Sequence, residues 1–257
     1  PHLGAATIEA QENVALQIAE QMSKYLLEGA VENALNMPSM SAEEAKVMAP
    51  WVKLSQHLGS FAGQMTDEPV KAINILYDGI VSEMNISALN SSVISGIMSK
   101  ANPDVNMVSA PIIAKERGIK ISTTNQDKAG AFEGYIKVTV VTDSRERSVA
   151  GTVFSDGKPR FIQIKGINID SEIGPHMLYT TNKDVPGIIG VLGKTLGDND
   201  VNIANFTLGR SEAGGQAIAL LYVDNPISNK VIEALKATDV FGQAKALNFE
   251  VSSSPNQ

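Results

Sequence analysis

The chain predicts an α+β fold, because helices lead, a strand meander follows, and a strand–helix–strand–strand–helix–strand unit closes the sequence. Three patterns carry that expectation. Apolar residues recur at helical spacing in much of the chain up to Arg117. From Ile119 to Lys165, β-branched and aromatic runs stand between short polar breaks. Beyond His176 the two periods interleave. The 257 residues are too many for one small domain and suit two compact ones.

Residues 5–29 read as one helix. Val14, Ile18, Met22 and Tyr25 share a face, Thr7 caps the start, Glu9 and Glu12 suit the positive end of the dipole, and Gly29 suits the stop. Residues 33–39 form a connector. One helix cannot bury its own apolar face, so residues 1–40 are expected to pack on a further unit, as the remnant of another region. Residues 41–174 open with Ser41 and Glu44, a capping box ahead of an apolar helix reaching about Gln64. Val70–Tyr77 alternates as a strand, and Ile86–Met98 and Ala110–Arg117 are helical. Ile119–Thr124, Tyr135–Thr142, Ser148–Phe154 and Arg160–Lys165 are strands, with Asp156-Gly157 turning between the last two. Helices before a meander predict helices on one sheet face.

Residues 175–257 form the third segment. Met177–Thr181 is a strand, and Pro186 falls in the first turn of a helix. Val201–Leu208 and Ala217–Val223 are strands around Gly214-Gly215, Ser228–Ala237 is a helix, and Lys245–Val251 is the last strand. That order is the ferredoxin-like βαββαβ unit. The tail beyond it is polar and expected to fray.

Composition excludes several functions. Zero Cys removes disulfides, thiolate metal sites and thiol catalysis, and His2, His57 and His176 lie too far apart in sequence for a multi-His metal centre, so no metal is expected. The net charge of −7 argues against binding nucleic-acid backbone. No apolar run approaches a membrane span, and Pro1-His-Leu-Gly has neither the basic nor the apolar part of a signal peptide. A soluble protein of the cytoplasm is expected. A start on Pro-His without Met reads as a piece of something longer.

The sharpest local signal is Asn182-Lys-Asp-Val-Pro-Gly-Ile-Ile-Gly, followed by Asp200-Val-Asn-Ile-Ala-Asn. A strand ends in polar residues and the Pro186-Gly187 turn opens a helix, whose free N–H groups favour a carboxylate. Asp184 suits an ammonium and Asn202 either end, so together they suit a zwitterionic amino acid. The same residues also suit plain turn chemistry and strand capping. Gly187, Gly190 and Gly193 precede Lys194-Thr195, but the spacing fits neither a dinucleotide fingerprint nor a P-loop. Close packing of that helix on the sheet is the expected use of its glycines. Basic residues gather late in the middle segment, at Lys137, Arg145, Arg147, Lys158, Arg160 and Lys165. Convergent strands would make them an anion site; a solvated sheet edge is the alternative. His57 reads as structural, and His2 shows no carboxylate partner.

These residues also carry a resemblance. Pro1-His-Leu-Gly-Ala-Ala-Thr-Ile-Glu-Ala-Gln-Glu-Asn-Val-Ala and Asn33-Ala-Leu-Asn-Met-Pro resemble the end of the catalytic region of the D-3-phosphoglycerate dehydrogenase family. Residues from Ser41 to Gly174 resemble the intervening domain of the long form of that enzyme, and His176 to Val251 resembles its serine-binding ACT domain. The resemblance implies a parent enzyme that oxidises 3-phosphoglycerate to 3-phosphohydroxypyruvate with NAD in serine synthesis. It makes His2 the general acid/base, with the NAD loop, substrate arginine and carboxylate partner outside this chain. The chain alone is then expected to bind no cofactor and to be inactive. L-serine contacts fall on Asn182, Asp184, Pro186, Gly187 and Asn202. Arg160, with Lys158 and Lys165, marks the anion position of the intervening domain, although Ile167 and Glu172 stand where other members carry basic residues. Implied partners are L-serine, a second copy through paired ACT domains, and the catalytic domains of the parent. A stand-alone amino-acid sensor, or a regulatory subunit of another serine enzyme, is the alternative.

Overall fold

The computed structural model describes residues 6–35, 39–128 and 130–250. His2 and Val251 lie outside them. Helix α1 (Ile8–Glu28) starts where Thr7 accepts from the Ala10 N–H and ends at Gly29 in the left-handed region. It buries no residue, and its stripe of Val14, Ile18, Met22 and Tyr25 stays exposed. An antiparallel bridge between Val31 and Met40 then returns the chain to the body.

Helix α2 (Ala42–Met65) begins with the expected capping box: Ser41 accepts from the Glu44 N–H, and Glu44 accepts from that of Ser41. Next come β1 (Ala72–Gly79), a 3₁₀ turn, α3 (Ile86–Ser99), α4 (Ala110–Glu116) and β2 (Lys120–Gln126). Four further strands follow: β3 (Gly134–Val141), β4 (Glu146–Val153), β5 (Pro159–Ile164) and β6 (Ile167–Glu172). They make a six-stranded sheet in the order β2-β1-β3-β4-β5-β6. Two features depart from the expected meander. Strands β1 and β2 pair in parallel, so α3 and α4 form a crossover between them, and β6 adds an unforeseen strand after a tight Lys165-Gly166 turn. Helix α2 covers one face of the sheet, and α3 packs on α2 where Gly59, Gly63 and Gly96 let the two backbones meet. A Cβ on Gly59 would run into the Val93 carbonyl oxygen.

The last unit comprises β7 (His176–Lys183), α5 (Ile188–Gly197), β8 (Ile203–Arg210), β9 (Gln216–Val223), α6 (Asn229–Lys236) and β10 (Phe241–Asn248). Its antiparallel sheet runs β10-β7-β9-β8, the ferredoxin-like order. Pro186 does not lie in the first turn of α5. It precedes the N-cap Gly187, whose φ of 95° needs a glycine. Nor do Gly190 and Gly193 pack on the sheet; Ile188, Leu192 and Leu196 do, leaving the glycines on the open side.

The second face of this sheet is also buried. Met177, Tyr179, Ile218, Leu220 and Leu247 join Phe61, Phe161 and Ile169 in one apolar cluster that spans both sheets. Phe61 meets Phe161 at 5.2 Å and Tyr179 at 5.9 Å between ring centroids. Burial on both faces explains why Ala217–Val223 reads as a continuous apolar run and not an alternating one.

Candidate functional site

The C-terminal end of β7, the start of α5 and the β8–β9 turn meet at one end of the four-stranded sheet. Register places Asn182 of β7 beside Ala217 of β9, and Ala217 beside Arg210 of β8. Asn182 is buried; its Nδ2 donates to the Lys183 carbonyl at 2.7 Å, while its Oδ1 is enclosed without a partner. Asp184 Oδ2 accepts from Arg210 Nη1 at 2.9 Å and from the Gly214 N–H at 3.2 Å. The Arg210 hydrogen bond, then that of Gly214, holds the Asp184 carboxyl below its ordinary pKa. Gly187 supplies no side-chain cap, so first-turn N–H groups of α5 have no cap from it. No local sequence signal marks Arg210, because it stands 26 residues from Asp184 along the chain.

Asn202 does not join this group. It precedes β8 at the opposite end, where its Nδ2 donates to Asp224 Oδ2 at 2.7 Å. The reason is topological: α5 carries the chain back along the sheet before β8 begins. An eight-residue strand separates the two ends, roughly 25 Å of sheet.

The three basic positions of the middle segment do not form one site either. Lys158 stands just before β5, Arg160 near its start and Lys165 beyond its end. Arg160 donates to Glu172 at 3.1 Å, lies 3.6 Å from Asp170 and covers the Phe154 ring at 4.8 Å, so local partners already answer its charge. Lys158 is solvent-exposed in the β4–β5 turn. Lys165 lies over the Tyr179 ring at 5.5 Å, and burial, then Arg147 and Arg145, lower its pKa. The alternation of Ile167, Ile169 and Ser171 was the signal for β6, the strand that delivers both carboxylates to Arg160.

Among the described residues, no three His, Asp or Glu side chains gather into a metal-binding group. No described helix is long and apolar enough to cross a membrane.

Residues 47–165 match the family described as the D-3-phosphoglycerate dehydrogenase intervening domain. A D-3-phosphoglycerate dehydrogenase of Bacillus subtilis is 35% identical over 236 residues, covering 91% of this chain and 45% of the relative. The one from Synechocystis is 33% identical over 237 residues (91% of the chain, 43% of the relative). That of Methanocaldococcus jannaschii is 32% identical over 239 (92% and 45%). Over about nine-tenths of its length the chain is thus similar to D-3-phosphoglycerate dehydrogenases. It spans less than half the length of these relatives. The intervening-domain match covers most of α2 and the strands through β5, so Arg160 falls near its end while the partnered carboxylates Asp170 and Glu172 lie just beyond it, on β6.

Proposed function

We propose that this chain is the regulatory part of a D-3-phosphoglycerate dehydrogenase, with residues 175–257 acting as an ACT domain that binds L-serine and pairs with a second copy. The observation that carries this reading is the junction of β7 and α5. Enclosed Asn182 Oδ1 is an acceptor for an ammonium or hydroxyl, and uncapped N–H groups of α5 with the exposed Arg210 guanidinium suit a carboxylate. The Asp184–Arg210 pair brings both signs of charge to a zwitterion.

Topology gives Asn202 a place in the same reading. β8 is an edge strand, and pairing it antiparallel with β8 of a second copy would bring Asn202 of the second copy beside Arg210 of the first. Val185, Ile189 and the uncrowded Gly190 and Gly193 line the open side of α5, which suits a partner helix.

The activity of the whole enzyme is NAD-dependent oxidation of 3-phosphoglycerate in the cytoplasm, with His2 as its acid/base group and NAD held by residues beyond this chain. The uncovered stripe of α1 supports docking on such catalytic domains.

Titration calorimetry with L-serine tests the reading. Asp184→Ala and Asn202→Ala are each expected to lose binding, whereas a mixture of the two variants recovers it in part, because a mixed pair retains one intact site. No heat at millimolar serine would sink the proposal, and independent loss without recovery would sink the shared site.

A further inference from the structure

A cavity of about 420 Å³ lies between α2, α3 and the end of β10, remote from the β7–α5 junction. His57 forms part of its wall. The ring is 3% exposed, and among the described residues its nitrogens have no hydrogen-bond partner. Burial, with a smaller effect of Lys53, lowers its pKa to about 4, so at neutral pH the imidazole carries one N–H donor and one bare acceptor. Phe249 stands edge-on to it, 5.7 Å between centroids. Neither ring nitrogen is among the enclosed side-chain atoms without a partner, so this wall opens polar atoms to the cavity, where a polar occupant can meet them.

The remaining lining says what. Lys100 is not a free cation: its ammonium donates to the carbonyls of Gln64 and Thr66 and to Asp67. Glu250 borders the cavity and disfavours anions. Ser60 accepts from Gln64 Nε2 at 3.0 Å, which leaves its own proton to give. Ser95 and Ser99 donate to the carbonyls of Val105 and Gly96, which leaves their oxygens as acceptors. The set is therefore mixed donors and acceptors with no uncommitted positive charge. Alternating donation and acceptance is the hydrogen-bonding habit of a hydroxyl group, and a cavity of this size falls within the range of small-molecule sites.

We infer that this cavity is a second effector site, for a small uncharged polyhydroxy compound (a sugar or a sugar alcohol). Its walls belong to both units. Gln64 grips the last strand by donating to the Asn248 carbonyl at 2.7 Å and accepting from the Asn248 N–H at 2.9 Å, so an occupant touches α2, α3 and the end of β10 together. Binding there tightens the contact between the helix pair and the four-stranded sheet.

The test follows the His57 imidazole by nitrogen-15 NMR in the full chain while sorbitol, glucose, inorganic phosphate or L-serine is added. Low millimolar concentrations avoid the general stabilising effect of concentrated polyols. The expected result is a saturable shift with sorbitol or glucose and none with phosphate or L-serine. A response to one of the two names the source as an open-chain polyol or a ring sugar. Ser60→Ala is expected to weaken binding about tenfold, the loss of one hydrogen bond, and His57→Phe to abolish any response at the neighbouring Phe249 signals. Should His57→Phe fail to fold, Ser60→Ala decides. No saturable shift with either polyol, a shift with phosphate or L-serine instead, or full affinity in Ser60→Ala overturns the inference.

Discussion

Lowering the pH from neutral toward 4 should destabilise this protein chiefly through one residue, His57. Its folded pKa is depressed to about 4 from 6.5. The unfolded chain therefore takes up the proton first. Stability from the neutral ring is complete above pH 6.5, declines as pH falls toward 4, and levels off once both states are protonated. The depression corresponds to about 3 kcal/mol in all, at about 1.4 kcal/mol for each pH unit. Urea denaturation followed by fluorescence of the single Trp51, itself buried on α2, measures this directly. His57→Gln is the control, since an amide keeps a polar group at the cavity wall without titrating. The wild type should lose stability relative to the variant between pH 6.5 and 4.5. Asp67, Glu44, Glu68, Asp78 and Asp184 have lowered folded pKa values and withdraw their contributions only as pH falls from about 4. A flat profile in that window, or an equal slope in His57→Gln, would refute the reasoning.

Three further outcomes are expected. Asp67 is held at about 2, mainly by Lys245 with Lys100 beside it, and this pairing ties β10 to the end of α2. Its contribution is present above pH 4 and is lost as pH falls toward 2. Because the carboxylate is largely exposed, a double-mutant cycle of Asp67→Asn with Lys245→Met should give only about 0.5–1 kcal/mol at neutral pH. Gly59→Ala places a methyl group against the Val93 carbonyl and forces α2 from α3, and urea midpoints should report a loss of about 1–3 kcal/mol. Leu220→Ala opens a cavity between the two sheets and should cost about 2–5 kcal/mol. Trp51 fluorescence and far-ultraviolet circular dichroism should still report one coincident transition, whereas two transitions would show that the shared cluster does not couple the sheets.

Much of the fold was legible because its signals are local. The Ser41–Glu44 box, the Thr7 and Gly29 caps, the Asp156-Gly157 hairpin and the βαββαβ order all rest on neighbouring residues, and each forms as expected. Strand β6 has only a short alternation over six residues to mark it, and the parallel pairing of β1 with β2 has no local signature because it depends on a crossover. The site divides in the same way. Asn182, Asp184 and Gly187 do come together, as neighbours along the chain must, while Arg210 joins them only through the β8–β9 hairpin. Asn202 goes to the far end because a helix lies between it and the rest. The grouping of Lys158, Arg160 and Lys165 failed for a related reason: one strand keeps its two ends apart, and a later strand supplies the carboxylates that neutralise Arg160.

By itself, the sequence determined most of the secondary elements, the absence of thiol chemistry and the resemblance to D-3-phosphoglycerate dehydrogenases, since these rest on residue type, spacing and order along the chain. Only the tertiary structure decided which charges are already answered, that the four-stranded sheet is buried on both faces, and that neutral His57 borders a polar cavity. Burial and partner choice are properties of what surrounds a residue in space, and the decisive neighbours here come from distant parts of the chain.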